Sequence, residues 1–366
     1  MIRILHAADL HLDSPFQALV REKALQRRRE QRALLMKIAD TAREHSADIV
    51  LFSGDLFDSE DVFSDTGRML EEALASLDMP VFIAPGNHDW YGPRSAWARL
   101  SFRENVHVFD SEAIDCVPLP ALGVRVWGTA FTERHRAMPL AGFEAEKDGD
   151  TVDIMVLHGE VGNPASVYGA ITEEQLSRSG MDYVALGHVH SFSGLCRAGG
   201  TYYAWPGCPE GRGFDETGEK GVILAEVSAE GCSARLLPLG GRRYEIVTVA
   251  LTAADDALAA VTAALPADTA RDIYRILLTG ETDAAPDVRQ LQQALAERFF
   301  SLELRDETRL RRDIWALGGG DDLRGLFLAR LRRRYEAAGS DAERERITQA
   351  ARWGLLAMEN GDELPL

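Results

Sequence analysis

The sequence predicts a layered α/β protein whose strands end on a metal site. From Met1 to about Leu239, short apolar runs alternate with helical stretches, the pattern of sheets covered by helices. Five of these runs are followed at once by a cluster of Asp, Asn or His: Asp9-Leu10-His11, Gly54-Asp55, Gly86-Asn87-His88-Asp89, Leu157-His158-Gly159 and Gly187-His188-Val189-His190. Residues just past the carboxyl ends of strands line the ligand crevice of an α/β sheet, so clusters distant in sequence converge there.

The five runs are Arg3–Ala7, Asp48–Phe52, Pro80–Ala84, Val152–Leu157 and Tyr183–Leu186, each reading as a buried strand. Residues 17–46 read as one long helix or two shorter ones, with Leu34, Leu35, Ile38 and Ala42 on a single face. Residues 106–131 read as two or three strands, Thr172–Gln175 fits a helix N-terminal capping box, and residues 201–238 read as strand, loop, strand, strand. Gly240-Gly241 marks a boundary and a hinge. Beyond it Tyr244–Leu251, Asp255–Leu265, Asp272–Thr279, Asp287–Phe299 and Phe300–Arg305 alternate as strand, helix, strand, helix, strand, a small α+β cap. Gly318-Gly319-Gly320 then precedes two amphipathic helices at 322–338 and 341–359. The expected domains are 1–240, 241–317 and 321–366.

With 366 residues and 46% hydrophobic content, the chain can bury a sizeable core and divide into more than one domain. The N-terminus enters the first strand without a secretory pattern, so a cytoplasmic protein with no membrane association is expected. Cys116, Cys196, Cys208 and Cys232 are too scattered for a zinc or redox motif, and reduced thiols are expected. A formal charge of -18 excludes a protein that grips nucleic acid through its overall field. Any polyanionic substrate must be held locally.

Imidazole nitrogens, carboxylates and an amide oxygen suit Mn²⁺, Fe²⁺ or Zn²⁺, while the lack of cysteine ligands disfavours a structural zinc or an iron–sulfur cluster. A single Asp-x-His pair can simply cap a turn. Five clusters, each after a strand, are not explained as isolated caps. If one carboxylate bridges two ions, Asp55 is the natural bridge, and the ions sit roughly 3.5–4 Å apart and share a hydroxide aimed at phosphorus. Two such ions offset by Asp9, Asp55 and one hydroxide leave about one net positive charge, which attracts a phosphate ester. His6 falls in the first strand and His45, His107 and His135 in helix ends or loops, with no ligand role.

These clusters, in this order, resemble the calcineurin-like metallophosphoesterase superfamily over about the first 240 residues. The opening His6-Ala7-Ala8-Asp9-Leu10-His11-Leu12-Asp13-Ser14-Pro15-Phe16 and Gly54-Asp55-Leu56-Phe57-Asp58 are similar to the SbcD and YhaO branch of DNA repair exonucleases. Pro206-Gly207-Cys208-Pro209 and Gly218-Glu219-Lys220-Gly221 add to that similarity. The resemblance implies a four-layer αββα sandwich with the site between strand ends. By it, Asp9, His11 and His190 would bind one ion, Asn87, His158 and His188 the other, and Asp55 would be shared. His88 would protonate or stabilise the leaving oxygen, with Asp89 orienting its ring. The implied reaction is in-line hydrolysis of a DNA phosphodiester with Mn²⁺. Many nucleases of the family carry a histidine three residues after the bridging aspartate, where this chain has Asp58. An unpaired anion there would disfavour phosphate.

Trp90 and Tyr91 either stack on a base or pack their loop, and Arg27, Arg28, Arg29 and Arg32 either meet a DNA backbone or form a solvated helix face. The tail helices carry Arg330, Arg332, Arg333 and Arg334 beside Leu326, Phe327, Leu328 and Leu331. The resemblance implies that such a tail docks on an SMC-like coiled-coil ATPase of the SbcC or YhaN type, and that the chain forms a homodimer. A DNA nuclease subunit is therefore the leading expectation. The alternatives are a phosphodiesterase or phosphatase for small molecules or proteins, and a catalytically silent scaffold.

Overall fold

The computed structural model describes residues 1–149, 151–252, 255–310, 314–315, 320 and 322–360. Two units are distinguished: Met1–Val247 with Leu265–Ile276 and Gln292–Glu303, and Thr248–Ala264 with Leu277–Leu291 and Leu304–Leu366.

The first unit holds two six-stranded sheets. In one, β1 (Ile2–Ala7), β2 (Ile49–Phe52), β3 (Val81–Ile83) and β4 (Val106–Val108) run parallel, while β13 (Gly221–Ser228) and β14 (Gly231–Pro238) extend the β1 side antiparallel. In the other, β6 (Val124–Gly128), β7 (Val152–His158), β10 (Tyr183–Gly187) and β12 (Thr201–Ala204) run parallel. Antiparallel β5 (Asp115–Leu119) and β11 (Cys196–Ala198) close its two edges. A short parallel pair, β8 (Glu160–Val161) and β9 (Ala170–Ile171), lies between β7 and β10 in sequence. The helices are α1 (Arg21–Glu44), α2 (Ser64–Ala75), α3 (Ala96–Arg99) and α4 (Glu173–Arg178).

Strand side chains alternate faces with a period of two, and the alternation builds the layers. Ile49 and Leu51 of β2 meet Ile154 and Val156 of β7 and Tyr183 and Ala185 of β10 in the core between the sheets. Val50 and Phe52 point the other way, onto Leu34, Leu35, Ile38 and Ala42 of α1 and Leu70 and Leu74 of α2. On the far side, Met155, Leu157, Val184 and Leu186 pack with Leu176 of α4. The result is the expected αββα sandwich. The central strands β2, β3, β7 and β10 are buried throughout and near-continuously apolar because both their faces are covered.

One polar residue crosses the inter-sheet core. His6 of β1 is buried; its Nε2 donates to Leu186 O of β10 at 3.2 Å and lies 3.0 Å from Ser53 Oγ. Its Nδ1 accepts from the Tyr183 hydroxyl at 3.0 Å. Burial lowers its pKa to about 3, so the ring is neutral and its two nitrogens serve as one donor and one acceptor. It is a pin between the two sheets, directly below the strand ends.

The predicted capping box starts α4, with Gln175 N donating to Thr172 Oγ1 at 3.1 Å and Thr172 N to Gln175 Oε1 at 2.8 Å. His107, expected in a helix end or loop, lies instead in β4. The arginines of α1 are neither a free basic patch nor a solvated face. Arg27 is 0% exposed and pairs with Glu210, itself 5% exposed, at 2.6 Å and with Glu30 at 2.9 Å. Arg32 pairs with Asp13 at 2.7 Å and Arg28 donates to Pro15 O, which leaves Arg29 as the exposed member. Tyr91 packs against two apolar clusters, the one under α1 and α2 and the one between the sheets, and its N–H donates to Phe131 O, so it holds its loop.

After β14 come β15 (Tyr244–Leu251), α5 (Ala257–Ala264), β16 (Ile273–Thr282), α6 (Val288–Leu295), β17 (Ser301–Asp306) and β18 (Arg309–Leu310). The predicted alternation of strand and helix is thus present. In the second unit α7 (Leu323–Ala337) and α8 (Asp341–Asn360) pack on each other through Leu328, Ala351 and Leu355, joined by Ile314. Leu326 and Trp353 remain exposed. Gly318 and Gly319 lie outside the described residues. Among the described residues no helix is long and apolar enough to cross a membrane.

Arg27→Ala strands the buried Glu210 carboxylate and should lower the unfolding free energy by about 3–5 kcal/mol in urea denaturation. Arg29→Ala on the exposed face should stay within about 0.5 kcal/mol. Similar values for the two variants would contradict the buried pair.

Candidate metal centre

All five sequence clusters meet where the parallel strands of the two sheets end. The loops after β1 and β2 run side by side, with Asp9 N donating to Gly54 O at 3.0 Å, His11 N to Asp55 O at 2.9 Å and Leu12 N to Leu56 O at 2.8 Å. Asp9, His11, Asp55 and His188 all take positive φ, at 53°, 43°, 53° and 100°. Such conformations cost roughly 1–3 kcal/mol each in non-glycine residues and persist only where surroundings over-determine them. Here the paired loops do so, together with His188 N, which donates to Asp9 Oδ1 at 3.0 Å.

Two glycines permit the convergence. A Cβ on Gly86 would collide with the Asp55 carboxylate, and one on Gly187 would collide with Ser53 O at the end of the facing sheet. Glycine is required at both by close approach rather than by backbone angle.

The donor atoms fall into two sets. His11 Nε2 lies 3.2 Å from His190 Nε2, and His190 Nε2 lies 3.9 Å from Asp9 Oδ1. Asn87 Oδ1 lies 2.9 Å from His158 Nε2 and 3.2 Å from His188 Nδ1. Asp55 Oδ2 stands between the sets, 3.7 Å from His11 Nε2 and 3.4 Å from His158 Nε2. Its Oδ1 accepts from His88 N at 2.8 Å, which fixes the carboxylate plane.

The protonation pattern fits cations. His158 Nδ1 donates to Ser53 O at 2.9 Å, so its Nε2 carries a lone pair into the site, where it faces the oxygens of Asn87 and Asp55. Lone pairs facing one another without a proton repel unless a cation lies among them. Burial pushes His11 and His188 down to about 4 and lowers His158 as well, so these rings are neutral near pH 7, the form that binds metal. Burial, reinforced by Asp55, raises Asp9 well above the ordinary carboxylate range. Burial also opposes ionisation of Asp55, but His158, His11 and His88 together hold it at about 2. Two adjacent buried acids pushed apart in this way would both ionise beside a divalent ion. The residues present therefore fit the pair of divalent ions that the sequence implies.

Three supporting residues were not singled out by sequence as site members or were read differently. Glu216, 3% exposed, accepts from Arg212 Nη2 at 2.6 Å, and its Oε1 lies 2.7 Å from His190 Nδ1, which is also 3.0 Å from Arg212 Nη2. Arg212 Nη1 also reaches Asp58 Oδ1 at 3.2 Å. Asp58 is thus a paired anion, also accepting from Ser14 Oγ at 3.0 Å and lying 3.2 Å from His11 Nδ1. These two carboxylates and one guanidinium add one net negative charge beside the site. The balance of about +1 expected from the sequence falls to about zero, so a phosphate would be held by direct coordination rather than by a net field.

Asp89 does not orient His88. Its carboxylate accepts from Gly86 N at 2.7 Å, Leu56 N at 2.8 Å, Asp55 N at 3.2 Å and Phe57 N at 3.3 Å, tying the loop after β2 to the loop after β3. Burial and then Asp55 push its pKa up to about 7 against these amides. His88 instead donates from Nδ1 to Asp58 O at 3.0 Å, and its half-buried ring leaves Nε2 for another partner.

Residues 2–192 match the family model for calcineurin-like phosphoesterases. The chain is 31% identical over 239 residues to the uncharacterized metallophosphoesterase YhaO of Bacillus subtilis (strain 168), covering 62% of this chain and 58% of that protein. It is 25% identical over 269 residues to the DNA double-strand break repair protein Mre11 of Saccharolobus solfataricus, covering 68% of this chain and 66% of that one. For the Mre11 protein of Methanopyrus kandleri the figures are 25% over 256 residues, 63% and 55%. The chain thus spans less than two thirds of the length of each of these relatives.

A native-state metal site predicts a thermal signature. Mn²⁺ at about 100 times its dissociation constant should stabilise the fold by about 2.7 kcal/mol per site relative to chelator-treated protein. In Asp55→Ala, which removes the carboxylate standing between the two donor sets, calorimetric melting should show most of that gain lost. An equal gain in this variant would contradict the shared position of Asp55.

Proposed function

Since the chain belongs to the calcineurin-like phosphoesterase family, we propose that it is a two-metal nuclease hydrolysing DNA phosphodiesters, with Mn²⁺ as the working ion and Fe²⁺ or Zn²⁺ as chemically suited substitutes. The observation that carries the two-ion part is Asp55 Oδ2, which lies within 3.7 Å of a nitrogen from each donor set. In this reading Asp9, His11 and His190 hold one ion, Asn87, His158 and His188 hold the other, and Asp55 serves both. DNA as substrate is supported by the similarity to the Mre11 proteins. The partner is an SMC-like coiled-coil ATPase of the SbcC or YhaN type, docked on α7 and α8, and the working unit is a cytoplasmic homodimer.

When bound, the two ions would supply Lewis acidity, making a water nucleophilic and offsetting charge on the phosphoryl oxygens. The protein's own part is geometric. Asp55 is held in one orientation by the His88 amide, and His158 is held in one tautomer by Ser53 O. His88, anchored through Nδ1 to Asp58 O, keeps Nε2 available to donate a proton to the leaving oxygen. His88→Ala should lower kcat by about 10²–10⁴-fold while leaving metal content intact.

The test offers Mn²⁺-loaded protein linear duplex DNA, single-stranded DNA, an aryl phosphodiester and a phosphomonoester, with and without the ATPase partner. Cleavage of DNA that falls in His88→Ala and vanishes in Asp55→Ala is expected. Cleavage of the monoester alone would overturn the nuclease reading, and cleavage of nothing under either condition would favour a silent scaffold.

A further inference from the structure

The two donor sets are supported differently. His158 rests on a backbone carbonyl, Ser53 O, whereas His190 lies beside the buried carboxylate of Glu216 and His11 beside the half-buried carboxylate of Asp58. His11 Nδ1 is buried without an aligned hydrogen-bond acceptor, and Asp58 Oδ1 is the carboxylate oxygen beside it, at 3.2 Å. One guanidinium joins the two carboxylates: Arg212 gives Nη2 to Glu216 Oε1 at 2.6 Å and Nη1 to Asp58 Oδ1 at 3.2 Å, and its backbone N–H donates to Glu216 Oε2 at 2.7 Å. The contacts close on themselves, from Asp58 to His11, across 3.2 Å to His190, then to Glu216, Arg212 and back to Asp58.

We propose that Asp58, Arg212 and Glu216 are positioning residues that select the tautomer and orientation of His11 and His190, and so set the affinity of one ion of the pair while leaving the other unaffected. The inference rests on the two-ion reading above. Its physical basis is direct. An imidazole whose Nδ1–H is committed to a carboxylate presents its Nε2 lone pair in a fixed direction and with raised basicity. A carboxylate oxygen lies close to Nδ1 of each ring, at 3.2 Å for His11 and 2.7 Å for His190, and the two Nε2 atoms lie 3.2 Å apart. The planar fork of Arg212 contacts both carboxylates, through Nη1 and Nη2, which the single ammonium of a lysine would not reproduce. Within this closed ring of contacts Asp58 is an outer support for His11 rather than an obstacle to phosphate.

The experiment is a calorimetric titration of metal-free protein with Mn²⁺, paired with ions bound per chain after dialysis. The wild-type chain should bind two ions. Asp58→Ala, Glu216→Ala and Arg212→Lys should each weaken one ion by roughly 10–100-fold and leave the second at its wild-type affinity. Asp58→Asn and Glu216→Gln keep an oxygen acceptor for the imidazole N–H and should lie much closer to wild type. They also serve if an alanine variant fails to fold. Wild-type binding of both ions in the alanine and lysine variants would overturn the proposal, as would equal weakening of both ions or amide variants no better than alanine. A wild-type chain that binds fewer than two ions would instead overturn the two-ion reading itself.

Discussion

Everything at the centre depends on two separate sheets ending at the same place. Three clusters come from strands of one sheet and two from strands of the other, so a small slide between sheets would scatter the donor atoms. His6 opposes that slide. It stands on β1, bonds to Tyr183 and Leu186 of β10, and touches Ser53 at the end of β2. Ser53 in turn donates through Oγ to Ala185 O, and its carbonyl accepts from His158. Buried polar groups are costly unless fully paired, so this network favours one register of the sheets over others. The missing Cβ of Gly187 lets the sheets close to that register.

Above the pin, strain and charge are balanced by the same few contacts. Four centre residues hold left-handed backbone, and the hydrogen bonds between the loops after β1 and β2 maintain it. Two buried acids, Asp9 and Asp55, are pulled in opposite directions by the protein groups around them. Neutral imidazoles surround them. A rigid shell of lone pairs short of positive charge is a pre-formed cation site, and pre-formation means that little ordering is required when an ion enters.

The primary donors were legible in the sequence because each sits within a few residues of a strand end, and strand ends announce themselves by apolar runs. The buried face of α1 was legible for a similar reason: Leu34, Leu35, Ile38 and Ala42 repeat at helical spacing. The supporting residues were not. Glu216 and Arg212 lie in an irregular stretch between β12 and β13 and acquire meaning only through His190 and Asp58. Asp58 looked like an unfavourable anion because its cation is 154 residues away. Arg27 looked like part of a basic patch because nothing local reveals the burial of Glu210. Asp89 stood beside His88 in sequence, yet its side chain turns to four backbone amides. Local pattern exposes groups whose role is tied to an element's period, and misses pairs made by long-range packing.

The shared carboxylate is the central claim, and diffraction at the manganese absorption edge from crystals grown with Mn²⁺ tests it most directly. Two anomalous peaks should flank Asp55 at roughly 3.5–4 Å from each other, one beside His11 and His190 and the other beside His158 and His188. A single peak, or a pair that does not share Asp55, would contradict the bridging role of that carboxylate.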